Sequence, residues 1–140
     1  MLKLMLRLIF PFFVRLYRLT NGKVGGTNQG LPVLLLSTIG RQTGAQRDTL
    51  LGFFEQDGAY VVTATNAGMD THPAWYHNLR AHPQVTVRIK DRTFNAVAEM
   101  AEGEQRQRLW DKFVQLAPGY AYYEKRTKRT IPVVLLRAVR

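Results

Sequence analysis

At 140 residues and 46% apolar content, the chain is one domain, long enough to close a hydrophobic core and too short for two domains. It carries 20 Lys and Arg against 10 Asp and Glu, a formal charge of +10, and no acid precedes Asp48; the N-terminal third is a positive field suited to nucleic acid, anionic lipid or a polyanionic ligand. Cysteine is absent, which excludes disulfides, iron–sulfur clusters, thiolate zinc sites and cysteine nucleophiles.

Met1 to Leu19 is apolar except at Lys3, Arg7, Arg15 and Arg18, whose spacings of four, eight and three keep them on one side of a helix. Pro11 fills the missing place in that series and is expected to kink the helix or divide it. The internal charges argue against a membrane span, and Tyr17-Arg18-Leu19-Thr20-Asn21 lacks the small residues of a leader cleavage site. Two placements stay open for residues 1–19: a peripheral helix on a membrane surface, and a helix packed on the domain or on a partner. Either way, residues 1–20 are expected to stand outside a β domain of residues 21–140. Asn21 to Gly30 is glycine-rich but lacks the flanking strand and helix of a dinucleotide-binding turn, and reads as a linker.

Strands begin near Pro32. Val33 to Leu36 and Thr49 to Phe54 read as buried strands on either side of the stretch Ser37 to Arg47. In that hairpin connection Gly40 and Gly44 permit backbone conformations closed to other residues, so that N–H groups can converge. Arg41 and Arg47 add planar forks that suit phosphate or carboxylate. The alternative is a solvated turn whose arginines do nothing. Gln56-Asp57-Gly58 is a tight turn, Ala59 to Thr65 is a third strand buried on both faces, and Asn66 to Asp70 breaks it. A short helix follows, with Asp70, Thr71 or His72 in its cap region and Pro73 in its first turn, ending at His82-Pro83. Val85, Val87 and Ile89 alternate with polar residues, Lys90-Asp91 turns, and Arg92 to Met100 returns as the second arm of a hairpin.

Gly103 to Ala117 is an amphipathic helix with Leu109, Trp110, Phe113, Val114, Leu116 and Ala117 on one face and Arg106, Gln107, Asp111 and Lys112 pointing away. Tyr120 to Arg126 is a second short helix with an aromatic edge. Ile131 to Leu136 closes the chain as a strand whose Pro132 implies an edge or strand-start position. The order predicts a mainly β fold with α: a small barrel of about six mostly antiparallel strands, with flanking helices and an N-terminal amphipathic helix.

His72, His77 and His82 are five residues apart, a rotation of about 140° each time on a continuing helix, so they share no face and no metal site is expected. Ser37, the only serine, has no nucleophile-elbow pattern around it. The acids Glu99, Glu102 and Glu104 lie near a helix start, where the macrodipole accounts for them. What remains is a binding chemistry: an arginine loop, the strand end Ala64-Thr65-Asn66, the aromatics Trp75 and Tyr76, and the tyrosines at 120, 122 and 123. Together they offer cations for a phosphate tail, polar strand-end groups for a ring edge and aromatic faces for a flat heteroaromatic cofactor.

The segments Gly40 to Arg47, Val61 to Gly68, His72 to Pro83 and Pro118 to Tyr123 resemble, in order and spacing, the deazaflavin-dependent nitroreductase family of quinone and nitro-compound reductases. The resemblance runs from about Leu19 to the C-terminus, and His72-Pro73-Ala74-Trp75-Tyr76-His77-Asn78 is its most specific part. It implies a split β-barrel related to FMN-binding oxidoreductases and coenzyme F420 as cofactor, with FMN the nearest alternative. Arg41, Gln42, Thr43, Gly44 and Arg47 would surround the cofactor phosphate, Ala64, Thr65 and Asn66 would run along the deazaflavin ring, and Ala74 and Trp75 would close the pocket. The resemblance further implies Tyr120 and Tyr123 facing a quinone or nitroaromatic acceptor, with Thr65 at the reacting ring. Two positions depart from it: Gln42 stands where a lysine is common, and Thr65 where a serine is often found. The oligoglutamate tail of F420 would give the positive field a partner. The expected location is cytoplasmic, or peripheral on the inner face of the cell membrane. A non-enzymatic carrier of the same fold is a rival reading. A nucleic-acid-binding barrel is another, disfavoured because the aromatics do not alternate with basic residues on one sheet face, and no nucleic acid partner is expected.

Overall fold

The computed structural model describes the backbone of residues 2–139 and the side chains of residues 9 and 11–139. The elements are α1 (Leu2–Leu19), β1 (Thr27–Asn28), β2 (Leu31–Ile39), β3 (Gln46–Gly52), β4 (Phe54–Gln56), β5 (Ala59–Thr63), a 3₁₀ turn (Asn66–Gly68), α2 (Ala74–Ala81), β6 (Gln84–Ile89), β7 (Arg92–Met100), α3 (Gly103–Leu116), α4 (Tyr120–Arg126) and β8 (Val133–Ala138).

Every pairing is antiparallel, and the neighbours run β1-β2-β6-β7-β8-β5-β4, with β3 on the other side of β2. What curls this sheet is the run from Gln46 to Gln56. Its first part, β3, pairs with β2 from Val33↔Gly52 to Ile39↔Gln46, and its second, β4, pairs with β5 from Phe54↔Val61 to Gln56↔Ala59. The change of partner at Phe53 returns the order of strands to its start and makes a barrel rather than an open sheet. The strand count exceeds the expected six because this run is split and the presumed linker carries β1. β8 lies between β7 and β5, so Pro132 marks a strand start and not an edge.

Alternation along the strands sorts two cores. Leu34, Leu36, Tyr60, Val62, Val134 and Leu136 face inward, where Trp75, Tyr76 and Leu79 of α2 join them. Val61, Val133 and Leu135 face outward, under Leu109, Trp110 and Phe113 of α3 and Tyr120 of α4. Strand β5 is therefore buried on both faces, as its sequence predicts.

Three local expectations change. α1 runs as one helix with Pro11 inside it, so it is not divided; Pro11 is solvent-exposed, where water can serve the carbonyl left without a partner. Of its charged stripe, the side chains of Lys3 and Arg7 lie outside the described residues. Its C-terminal half packs on the barrel through Val14 and Tyr17 against Val33 and Leu35. The wholly buried Tyr17 hydroxyl donates to the Val33 carbonyl at 2.8 Å and accepts the Lys90 N–H at 2.9 Å. In α3, Leu116 is exposed, whereas Arg106 turns back to donate to the Ile131 carbonyl and lies over the Trp110 ring. α2 begins at Ala74 with Pro73 as its N-cap and no side-chain cap, because Asp70 instead accepts the Thr127 hydroxyl at 3.1 Å.

Candidate functional site

The β2–β3 register shortens the arginine loop to Gly40–Ala45 and places Thr38 opposite Arg47. Inside the loop, the Gly40 N–H donates to the Ala45 carbonyl at 2.7 Å and the Gly44 N–H to the Gly40 carbonyl at 2.8 Å. The Ala45 N–H donates to Thr43 Oγ1 at 3.2 Å. Gly44 sits at φ 73°, and a Cβ on Gly40 would lie 3.0 Å from Thr43 Oγ1, so both glycines are required by a tight ring of internal bonds. The amides expected to converge on an anion are mostly consumed in shaping the loop. Affinity for an anion falls instead to the guanidinium groups.

Asn78 of α2 holds the loop to the helix. Its Oδ1 accepts the Arg41 backbone N–H at 3.1 Å and Arg41 Nη1 at 3.4 Å, while its Nδ2 donates to Thr38 Oγ1 at 3.2 Å. Asn78 is only 3% exposed, so these bonds are what make its burial tolerable. Between loop and helix lies a pocket of about 410 Å³ lined by Arg41, Gln42, Thr43, Arg47, Ala74 and Trp75 together with Asn78. Gly44 shapes the loop without lining this pocket. Burial raises the Asp48 carboxyl, but hydrogen bonds from Ser37 and Gln46 and the Arg18 guanidinium at 2.9 Å outweigh that and hold it below the usual range. Asp48 is thus committed to Arg18, and neither Arg41 nor Arg47 has an acidic partner among the described residues.

The strand end is built differently. Ala64 is wholly buried in the inner core beside Trp75, and its N–H donates to the Pro132 carbonyl at 3.0 Å. Thr65 and Asn66 are half-buried, and Asn66 Nδ2 donates to the Thr71 carbonyl at 2.9 Å. Asn66, Ala67 and Gly68 all have left-handed φ values, 47°, 56° and 76°. Arg129, which the sequence reading passed over, donates through Nη2 to the Ala64 and Thr65 carbonyls at 3.1 and 2.9 Å and through Nε to the Met69 carbonyl at 2.9 Å.

The tyrosines part company. Tyr120 is 4% exposed in the outer core, its ring 5.3 Å from Phe113 and 6.4 Å from Trp110, and burial, reinforced by Tyr123, pushes its hydroxyl up to about 12. Tyr123 is half-buried, and its hydroxyl accepts from Gln29 Nε2 at 3.0 Å. Neither tyrosine lines the arginine pocket. The histidines also depart from the helical-wheel reading: His72 precedes α2, so its ring reaches within 5.7 Å of His77. Among the described residues no cluster suited to a metal ion is found.

A curled antiparallel barrel with two arginines that have no acidic partner among the described residues at one end, and a buried tryptophan in the adjoining wall, is a small split-barrel arrangement chemically suited to an anionic aromatic group. Residues 10–138 match the model of the F420H(2)-dependent quinone reductase family, and the chain belongs to that family. It is 37% identical to an F420H(2)-dependent quinone reductase of Mycobacterium tuberculosis over 86% of this chain and 84% of that one. A solved F420-H2 dependent reductase, FDR-A, superposes with a TM-score of 0.69 at 36% identity, covering 76% of this chain and 94% of that one. The heme storage protein HutZ of Vibrio cholerae, at 18% identity, shares the fold, with a TM-score of 0.58 over 77% of this chain and 82% of that one. The chain is accordingly an oxidoreductase, and its cofactor is coenzyme F420 in place of the FMN that the sequence left open. The site fits such a group: two guanidinium groups without acidic partners among the described residues line a pocket of cofactor-fragment size with an indole in its wall.

Proposed function

We propose that the pocket between the arginine loop and α2 holds the phosphate end of reduced F420, with Arg41, Gln42, Thr43 and Arg47 around the phosphate and Ala74 and Trp75 closing the pocket. The ring then lies along Ala64, Thr65 and Asn66. The observation that carries this reading is the pair of arginines beside Trp75 that have no acidic partner among the described residues. A cleft of about 590 Å³ between α1 and β3 adjoins the pocket through Arg47; Arg18 is paired with Asp48 in its wall, and Arg15 and Arg47 give further carboxylates of the cofactor tail a basic path.

When bound, reduced F420 supplies a hydride to the acceptor, a quinone or, in the wider reading, a nitroaromatic. The chain's own part is to hold the two rings together and exclude water. Tyr123 is the better placed of the two tyrosines to give a proton to the reduced acceptor, because its hydroxyl accepts from Gln29 and keeps its own hydrogen free. Tyr120, pushed up to about 12 by burial, supports Tyr123 from beneath, the ring centroids 5.5 Å apart. The Thr65 hydroxyl takes the place of the serine common in relatives.

A lipid-soluble quinone would be met at a membrane surface. α1 turns Val14 and Tyr17 to the barrel and leaves Ile9, Pro11, Phe12 and Phe13 exposed, beside Arg15 and Arg18. No described helix is long and apolar enough to cross a membrane, so a peripheral contact is the form this would take. Parallel fluorescence titrations with F420 and FMN, followed by mixing with reduced F420 and menadione, test the reading. We expect tight binding of F420 alone and oxidation of the reduced cofactor above background; a protein that binds neither, or oxidises nothing, refutes it.

A further inference from the structure

The turn after β5 is sterically improbable as written in sequence. Three consecutive residues occupy the left-handed region, and only Gly68 does so without a steric penalty. The turn's own backbone hydrogen bonds are two among the described residues, from the Gly68 N–H to the Thr65 carbonyl and from the Met69 N–H to the Asn66 carbonyl; from α4, Arg126 Nη1 reaches the Ala67 carbonyl only at 3.5 Å. On its far side Gly68 lies so close to α4 that a Cβ would stand 3.2 Å from the Tyr123 backbone. The turn is therefore wedged between the proposed ring edge and the helix that carries Tyr123.

From the described residues, we infer that Arg129 is a positioning residue for the reaction: by spanning the Ala64, Thr65 and Met69 carbonyls it holds the left-handed turn, and with it the spacing between the ring-binding strand end and α4. The inference rests on the proposed placement of the ring. A guanidinium suits the task because its five donors stand in a fixed planar fork, here serving the three carbonyls from Nε and Nη2, whereas an ammonium presents all its donors from a single nitrogen. The remaining donor, Nη1, lies 3.0 Å from His72 Nδ1. A guanidinium only donates, so Nδ1 is the acceptor and His72 is neutral when the clamp is closed. Protonation of His72 removes that acceptor and sets a second cation against Arg129. His77 and Arg80 add like charge, Tyr76 offers an uncharged ring 4.7 Å away, and the one nearby acid, Asp70, is bound to Thr127. Acid should therefore open the clamp.

Amide hydrogen exchange of the whole protein reads the clamp without any cofactor. Arg129→Ala should speed exchange at Gly68 and Met69 by about tenfold or more while the strands keep their protection. Arg129→Lys should not restore it, and millimolar guanidinium added to Arg129→Ala should do so in part. With reduced F420 and menadione both saturating, Arg129→Ala should lose about tenfold in rate while F420 affinity changes less than about threefold, since the phosphate loop is untouched. Burial first, and then the neighbouring Arg129, hold His72 below the ordinary imidazole range, so the wild-type rate should fall only on the acid side of that range, and His72→Gln, which keeps a neutral acceptor, should lose that acid limb. Unchanged exchange at 68 and 69 in a folded Arg129→Ala protein, or an acid limb that persists in His72→Gln, would overturn the assignment. A wild-type protein that bound no F420 would instead sink the functional proposal, and exchange would still decide for or against the clamp.

Discussion

The arginine loop and the strand-end turn are proposed to grip the two ends of one cofactor, and they are built on opposite principles. The loop is a short hairpin whose backbone bonds are satisfied internally, so its function resides in side chains that project from a rigid frame. The turn projects little beyond the Thr65 hydroxyl: Ala64 is buried, Asn66 is bound to the Thr71 carbonyl and Ala67 is a methyl, so what it offers is mostly backbone shape, held from outside by Arg129. A charge-bearing end should therefore be sensitive to which side chains are present, and a shape-bearing end to whatever holds the shape. Substitutions can test that division.

The largest effect should come from the loop. Arg41→Ala with Arg47→Ala removes both cations, each making a charge-assisted contact whose value is reduced by exposure, so F420 affinity should fall on the order of 100-fold. Arg41 gives up only the long Nη1 bond to Asn78 Oδ1, which keeps the Arg41 backbone N–H, and the Arg47 side chain has no hydrogen-bond partner among the described residues, so the melting temperature should barely move. The acceptor's apparent KM should stay near wild type. A large rise in acceptor KM with intact F420 binding would mean that the cofactor has been placed backwards.

Asn78→Ala should act on both fold and site. It strips partners from Thr38 and from the Arg41 N–H at a buried position, which should cost about 1–3 kcal/mol of stability by urea denaturation and weaken F420 by about tenfold. Stability loss with unchanged affinity would show that the loop keeps its shape without α2, and would make the division between the two ends sharper than drawn here.

The same division explains what could be read from the chain alone. The loop was legible because hairpins announce themselves locally: the apolar run Val33 to Leu36 and the run Thr49 to Phe54 stand as two arms, glycines bound the turn between them, and arginines flank it. Barrel closure was not, because Thr49 to Phe54 reads as one strand and nothing local says that the chain changes partner at Phe53. Asn78 was visible only as a letter in a motif, since a polar residue on a short helix looks solvent-facing until its partners at 38 and 41 fold onto it. Arg129 left no signal at all. It sits in an aperiodic link between α4 and β8, and the carbonyls it holds are some 60 positions earlier in the chain. Tyr120 and Tyr123 were legible as a pair but not as different, because helical spacing cannot say which one faces the core.

The smallest expected effect is the most pointed test of the shape-bearing end. Ala67 sits at φ 56° and ψ 26°, a conformation that a Cβ disfavours by about 1–2 kcal/mol, and its side chain is exposed, so glycine would lose no packing. Glycine also gives the unfolded chain more freedom, which takes back about 0.4–1 kcal/mol. The balance favours the glycine variant, and Ala67→Gly should be more stable by about 0.5–1 kcal/mol in urea melts. If Arg129 sets the form of the turn, easing the local strain leaves that form unchanged, and F420 affinity and turnover should both stay within about twofold of wild type. A variant that gained stability but lost turnover would mean that the strain at Ala67 itself shapes the ring edge. Control of the turn would then lie in its own sequence rather than in the clamp.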